Sequence, residues 1–159
     1  MAGRARYPLE TVRTLRADEE TVARDALAAR LRAQQAAEDS VATTSARVAT
    51  HRDETARVER RERAADSAGR PIAETLLAGD WLRRRRAEAE TLEHAVRDAK
   101  REHAAATSAA ELARSTLADA RAAREAVEKH HATWLAGERR AEEARAEAEA
   151  EDVLAGRRR

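Results

Sequence analysis

The chain has no cysteine and no phenylalanine, one tyrosine, two tryptophans, two prolines and five glycines in 159 residues. Without cysteine there is neither a disulfide nor a thiolate metal site. Aromatics amount to 2%, and the 42% apolar fraction is mostly alanine, so a wide core cannot be filled. No run approaches 18 apolar residues, which excludes a membrane-spanning helix. The opening MAGRARYPLE has no apolar core of a signal peptide. These absences together point to a soluble, cytosolic chain. Charge of one sign is missing too. The net charge is +1, so charge names no partner, and a nucleic-acid binder would show a basic excess along one face.

What is present is helical. Charged residues reach 38%, a level at which disorder competes with structure. Abundant Ala, Arg, Glu and Leu, all strong helix formers, decides for helix. Gly and Pro are absent between positions 9 and 66. Small side chains let two helices approach closely, so a narrow seam can be filled where a globular core cannot.

Residues 67–86, SAGRPIAETLLAGDWLRRRR, are the one interruption. They predict an all-α fold, two long helices in an antiparallel coiled-coil hairpin. Helix one is expected over about 8–66, opened by Tyr7, Pro8 and Leu9 and roughly 85–90 Å long. Turn and short helical segment follow over 67–79, with Ile72, Leu76 and Leu77 as the segment's apolar face. Asp80 is a natural cap for helix two, expected over 80–155. The whole of 1–159 then makes a single rod.

In helix one, Leu9, Val12, Leu15, Val22, Ala26 and Ala29 recur at three–four spacing, continued by Leu27, Leu31, Val41, Val48 and Val58. They are the expected seam. Helix two has the cleaner repeat. One heptad position reads Leu92, Ala99, Ala106, Ala113, Ala120, Val127, Trp134, Ala141. Its companion reads Val96, His103, Ala110, Leu117, Arg124, His131, Glu138, Arg145. The seam should hold from Leu92 to about Trp134. Setting Asp66 level with Asp80 puts Trp134 level with Val12 and His131 level with Leu15. From Glu138 the sequence lacks large apolar residues until Val153, and a solvated overhang is expected there. The tail 157–159 reads as solubilising.

No catalytic constellation is present. His130 and His131 are adjacent on a helix and point about 100° apart, poorly placed to share a metal. His51, His94 and His103 lack a partner at i+4, and no HExxH motif occurs. A two-helix rod has no concave, dry site to separate carboxylate pKa values. No enzyme activity and no cofactor are expected. Trp and Arg concentrate binding energy at interfaces, which draws attention to Trp81, Leu82 and the four arginines 83–86. Residues 57–86 carry about four net positive charges, and residues 138–152 about four net negative ones. Ends of opposite charge suit different partners.

The segment Tyr7-Pro8-Leu9-Glu10-Thr11-Val12-Arg13-Thr14-Leu15-Arg16 resembles the opening of the bacterial FliJ family. These are flagellar export stalk proteins, with YscO-type counterparts in type III secretion. Gln34-Gln35-Ala36-Ala37-Glu38, the mid-chain turn followed by Trp81-Leu82-Arg83-Arg84, and the charged stretch 125–143 are similar to further parts of that family. Arg85 departs from it, standing where a leucine is common. The resemblance implies a two-helix stalk in the pore of a hexameric export ATPase, touching an export gate membrane protein at its turn. It implies gate contact by Trp81, Leu82, Arg84 and Arg85. It implies ATPase contact by Leu9, Val12, Arg13, Trp134, Arg139 and Arg140. Export chaperones are implied as further partners, with peripheral attachment to the inner-membrane export apparatus and no direct membrane insertion. A generic structural coiled-coil spacer or dimerisation protein is the alternative, and an architectural nucleic-acid binder the third reading.

Overall fold

The computed structural model describes residues 6–156. The basic lead before Arg6 and the tail 157–159 lie outside the described residues. Two helices make up the fold: α1, Glu10–Ser67, and α2, Ile72–Gly156. The chain is an all-α helical hairpin, with no strand among the described residues.

Local chemistry explains each end. Ahead of α1 the Glu10 amide donates to the Tyr7 carbonyl at 3.3 Å, and the Arg13 amide to the Leu9 carbonyl at 2.9 Å. Glu10 places a carboxylate in the first turn, where the helix dipole favours it. At the other end Gly69 has φ +84°, a left-handed conformation that favours glycine. The amides of Ala68 and Gly69 close back onto the carbonyls of Ala64 and Asp66. Pro71, which lacks an amide to leave unpaired, then starts α2, and its carbonyl accepts from Glu74 at 3.0 Å and Thr75 at 3.3 Å.

The chain reverses between Ser67 and Ile72, and the short helical segment expected before Gly79 is not a separate element. Residues 72–78 form the first turns of α2 itself, and the helix runs through Gly79 without a break. Open space surrounds Gly79, with only the end of the Arg83 side chain near. Its cost is one of helix propensity, about 1 kcal/mol relative to alanine. A helix that starts earlier shifts the register. Tyr7, not Val12, packs against Trp134, about five residues from the expected pairing. Asp66 is bonded to Thr75 rather than facing Asp80.

The chain divides into two compact units: Met1–Leu27 with Ala113–Arg159, and Ala28–Leu112. In the first, Ala113, Leu117, Ala120, Arg124, Val127, His131 and Trp134 all turn away from solvent, as the α2 heptads require. Opposite them the buried residues are Tyr7, just ahead of α1, and Glu20 and Ala23 on it. This corrects the expected seam. Leu9, Val12, Leu15, Val22 and Ala26 are exposed, Val22 by 69%. A two-helix contact has one inside line per helix, and here α1 turns a polar line inward. From Glu142 to Leu154 every side chain is exposed.

The second unit has an alanine seam. Ala99 and Ala110 are buried, with Leu92, Val96 and Ala106 half-buried beside them. From α1, Val41, Val48 and Val58 face inward with buried His51, whereas Ala29 and Leu31 face outward.

Candidate functional sites

In the first unit the expected contact residues surround an aromatic cluster. Tyr7 Oη hydrogen-bonds His130 Nδ1 at 2.7 Å. The Tyr7 ring lies 4.6 Å from His131 and 5.4 Å from Trp134. His131 and Trp134 stack at 6.2 Å with a 14° interplanar angle. The cluster fastens the segment ahead of α1 to α2, with the apolar body of Tyr7 buried and its hydroxyl paired.

Two ionic groups follow along α1. Arg13 Nε donates to Glu128 at 2.9 Å, and Nη1 to Glu10 at 3.3 Å. The Glu128 hydrogen bond is the main reason the Arg13 pKa is raised. Glu20, buried in the seam, accepts from Arg24 at 2.8 Å, Arg124 at 2.9 Å and Arg121 at 3.4 Å. The hydrogen bond from Arg124, then that from Arg24, holds its carboxyl below the usual glutamate range. An ionised carboxylate is tolerable on this inside line only because arginines surround it.

Of the residues expected at the ATPase, Leu9 and Val12 are exposed at the margin, and Trp134 is half-buried in the cluster. Arg13 is engaged internally. Arg139 and Arg140 are exposed and carry no ion pair among the described residues. Sequence reasoning missed Tyr7 as a packing residue and missed Glu20 altogether. The signal was Arg124, a cation between Leu117 and the end of the α2 seam, which calls for a carboxylate across the seam.

In the second unit the gate candidates split. Arg85 Nη2 reaches Glu54 and Nη1 reaches Glu88, each at 3.0 Å, and Nε is 3.4 Å from Thr55 Oγ1. Its guanidinium lies over the Trp81 ring, 5.5 Å from the centroid. Arg85 is thus held by carboxylates from both helices. Trp81 and Leu82 are half-buried, and Arg84 is exposed. Arg70 is bonded to Glu62 and Asp66, and the Glu62 bond is the main reason its pKa is raised. An open groove of about 470 Å³ runs beside it, lined by Val58, Leu77, Ala78 and Trp81. Ile72, Leu76 and Leu77, in the first turns of α2, are 80%, 66% and 69% exposed.

No helix among the described residues is long and apolar enough to cross a membrane. No family model matches the chain, and no curated protein matches it. The chain is similar to the solved structure of CT670 from Chlamydia trachomatis, a proposed YscO homolog. The TM-score is 0.79 at 21% identity, over 94% of this chain and 92% of that one. At that identity the likeness shows a common fold.

Proposed function

We propose that this protein is a non-enzymatic coupling component of a bacterial type III or flagellar export apparatus. It links the hexameric export ATPase to the membrane export gate. The observation that supports this reading is the end-to-end fold likeness to a proposed YscO homolog, taken with the resemblance of the Tyr7–Arg16 segment. The coupling is mechanical: a helical hairpin carries no reaction and instead transmits contact between partners. Leu9, Val12, Trp134, Arg139 and Arg140 would face the ATPase. Trp81, Leu82 and Arg84 would face the gate. Arg13 and Arg85, already held by Glu128 and by Glu54 and Glu88, would position those surfaces. Export chaperones are further partners on this reading, and the protein sits peripherally on the inner-membrane apparatus.

The test is retention of the full chain by the hexameric export ATPase of the same organism. Capture at low salt is expected, weakened by Arg139→Glu with Arg140→Glu. Failure of the unaltered chain to bind that ATPase at low salt overturns the reading.

One observation favours a second reading. The exposed stripe of Leu9, Val12, Leu15 and Val22 has coiled-coil spacing, which suits a dimerising spacer. Light scattering that finds a dimer across micromolar concentrations, abolished by Leu15→Glu, would favour that alternative.

A further inference from the structure

The first two turns of α2 combine features that the coupling reading does not use. Residues 71–77 are all exposed, and Ile72, Leu76 and Leu77 are at least two-thirds open to solvent. Holding three large aliphatic side chains in water at one turn is unfavourable unless something covers them. Around them the carboxylates are mostly consumed. Glu62 and Asp66 hold Arg70, Glu59 holds Arg63, and Asp80 holds Arg83. Arg60, Arg61 and Arg86 are exposed and carry no ion pair among the described residues. The positive charge there is free. At about 100° per residue, Ile72, Leu76 and Arg86 fall within an arc of about 80° on α2. One face of the helix therefore grades from aliphatic at its start to cationic about four turns on.

We infer that this turn docks peripherally on an anionic lipid surface. Ile72, Leu76 and Leu77 enter the headgroup–acyl boundary while the unpaired arginines meet lipid phosphates. Charge complementarity selects the anionic surface: guanidinium pairs with phosphate bidentately, and each cation near an anionic leaflet adds to binding. The aliphatic trio selects lipid over nucleic acid, which offers phosphates but no hydrocarbon. Ile72 and Leu76, 80% and 66% exposed, favour lipid over a protein partner, because fluid hydrocarbon needs no rimmed pocket to receive a side chain. This is interfacial docking of an amphipathic helix start, not a spanning segment. It departs from the expectation of no membrane insertion, and it stands independently of any ATPase contact.

Sedimentation of the full chain with vesicles tests it. Vesicles of phosphatidylcholine with about 30 mol% phosphatidylglycerol should retain the protein, and phosphatidylcholine alone should not. Raising salt from about 0.05 M to about 0.5 M should reduce retention, since exposed charges are then screened. The triple change Ile72→Gln, Leu76→Gln, Leu77→Gln should lower the partition coefficient at least about tenfold. Far-UV circular dichroism should stay unchanged, because these side chains pack on little. Because the chain has no cysteine, Glu74→Cys gives a unique site for an environment-sensitive fluorophore. Its emission should shift to the blue on adding the anionic vesicles. No retention by those vesicles, equal retention by phosphatidylcholine alone, or a triple variant that binds like the unaltered chain would overturn the inference. So would retention without a change in emission at position 74, which would put the contact elsewhere.

Discussion

The unit of Met1–Leu27 with Ala113–Arg159 and the unit Ala28–Leu112 solve one packing problem in opposite ways. The first turns Tyr7, Glu20, Arg124, His131 and Trp134 inward and leaves Leu9, Val12, Leu15 and Val22 in solvent. The second turns mainly alanine and valine inward, with His51, and leaves all its arginines but Arg70 and Arg85 outside. An alanine seam needs only shape. A seam with a buried carboxylate needs each charge matched, so it specifies partners along the helix more narrowly than apolar packing does. The first unit thus carries its information on the inside line, and the second carries it on the outside.

The largest expected effect breaks the inside line of the first unit. Tyr7→Ala removes a buried ring and a hydrogen bond and should cost about 3 kcal/mol. Amide exchange should show lost protection around the start of α1, with the Ala28–Leu112 unit little changed. Tyr7→Phe isolates the hydroxyl and should cost about 1 kcal/mol. Leu117→Ala comes next at about 2–3 kcal/mol in urea unfolding, since Leu117 is 5% exposed. For the second unit, Ala110→Leu is the sharper probe. Ala110 is 0% exposed, and overpacking it should cost about 1–3 kcal/mol.

The ionic half of the comparison is read by pH. Glu20 has a folded pKa below its unfolded one. Its contribution is present above the unfolded value and is lost as pH falls through the lower, folded value. Thermal melts from neutral to acid should show Glu20→Gln with a flatter loss of stability than the unaltered chain.

At the turn, Arg85→Ala should lower the melting temperature, whereas Arg84→Ala should change stability by less than about 0.5 kcal/mol. If both were silent, the Arg85–Glu54 ion pair would not be holding α2 to α1. A small effect of opposite sign is expected from Gly79→Ala. It adds a methyl into open space and should stabilise by about 0.5–1 kcal/mol. Gly137→Ala in the first unit should behave alike, because nothing lies within 4 Å of it.

Particular residues show why some of this was legible in advance. The α2 heptads read correctly because one position stays apolar from Leu92 to Ala141, and every member of that line is shielded. In α1 two stripes competed. The outer one was more apolar and won the reading, yet the inner one, with Glu20, is what α2 meets. Spacing alone could not rank them, because the choice depends on which cations α2 presents at Arg121 and Arg124. Similarly, Arg85 looked like a free cation beside Trp81, yet Glu54 from the other helix and Glu88 on its own both bind it.

Composition and order by themselves determined that the chain is two helices and where it reverses. Those outcomes rest on local preferences: alanine-rich propensity, a left-handed glycine at 69 and a proline at 71. Only the tertiary structure decided the register, the inside line of α1, and which arginines remain free. Each of those depends on where side chains distant in sequence come level. Starting α2 at Ile72 instead of Asp80 moved that level by more than a full helical turn.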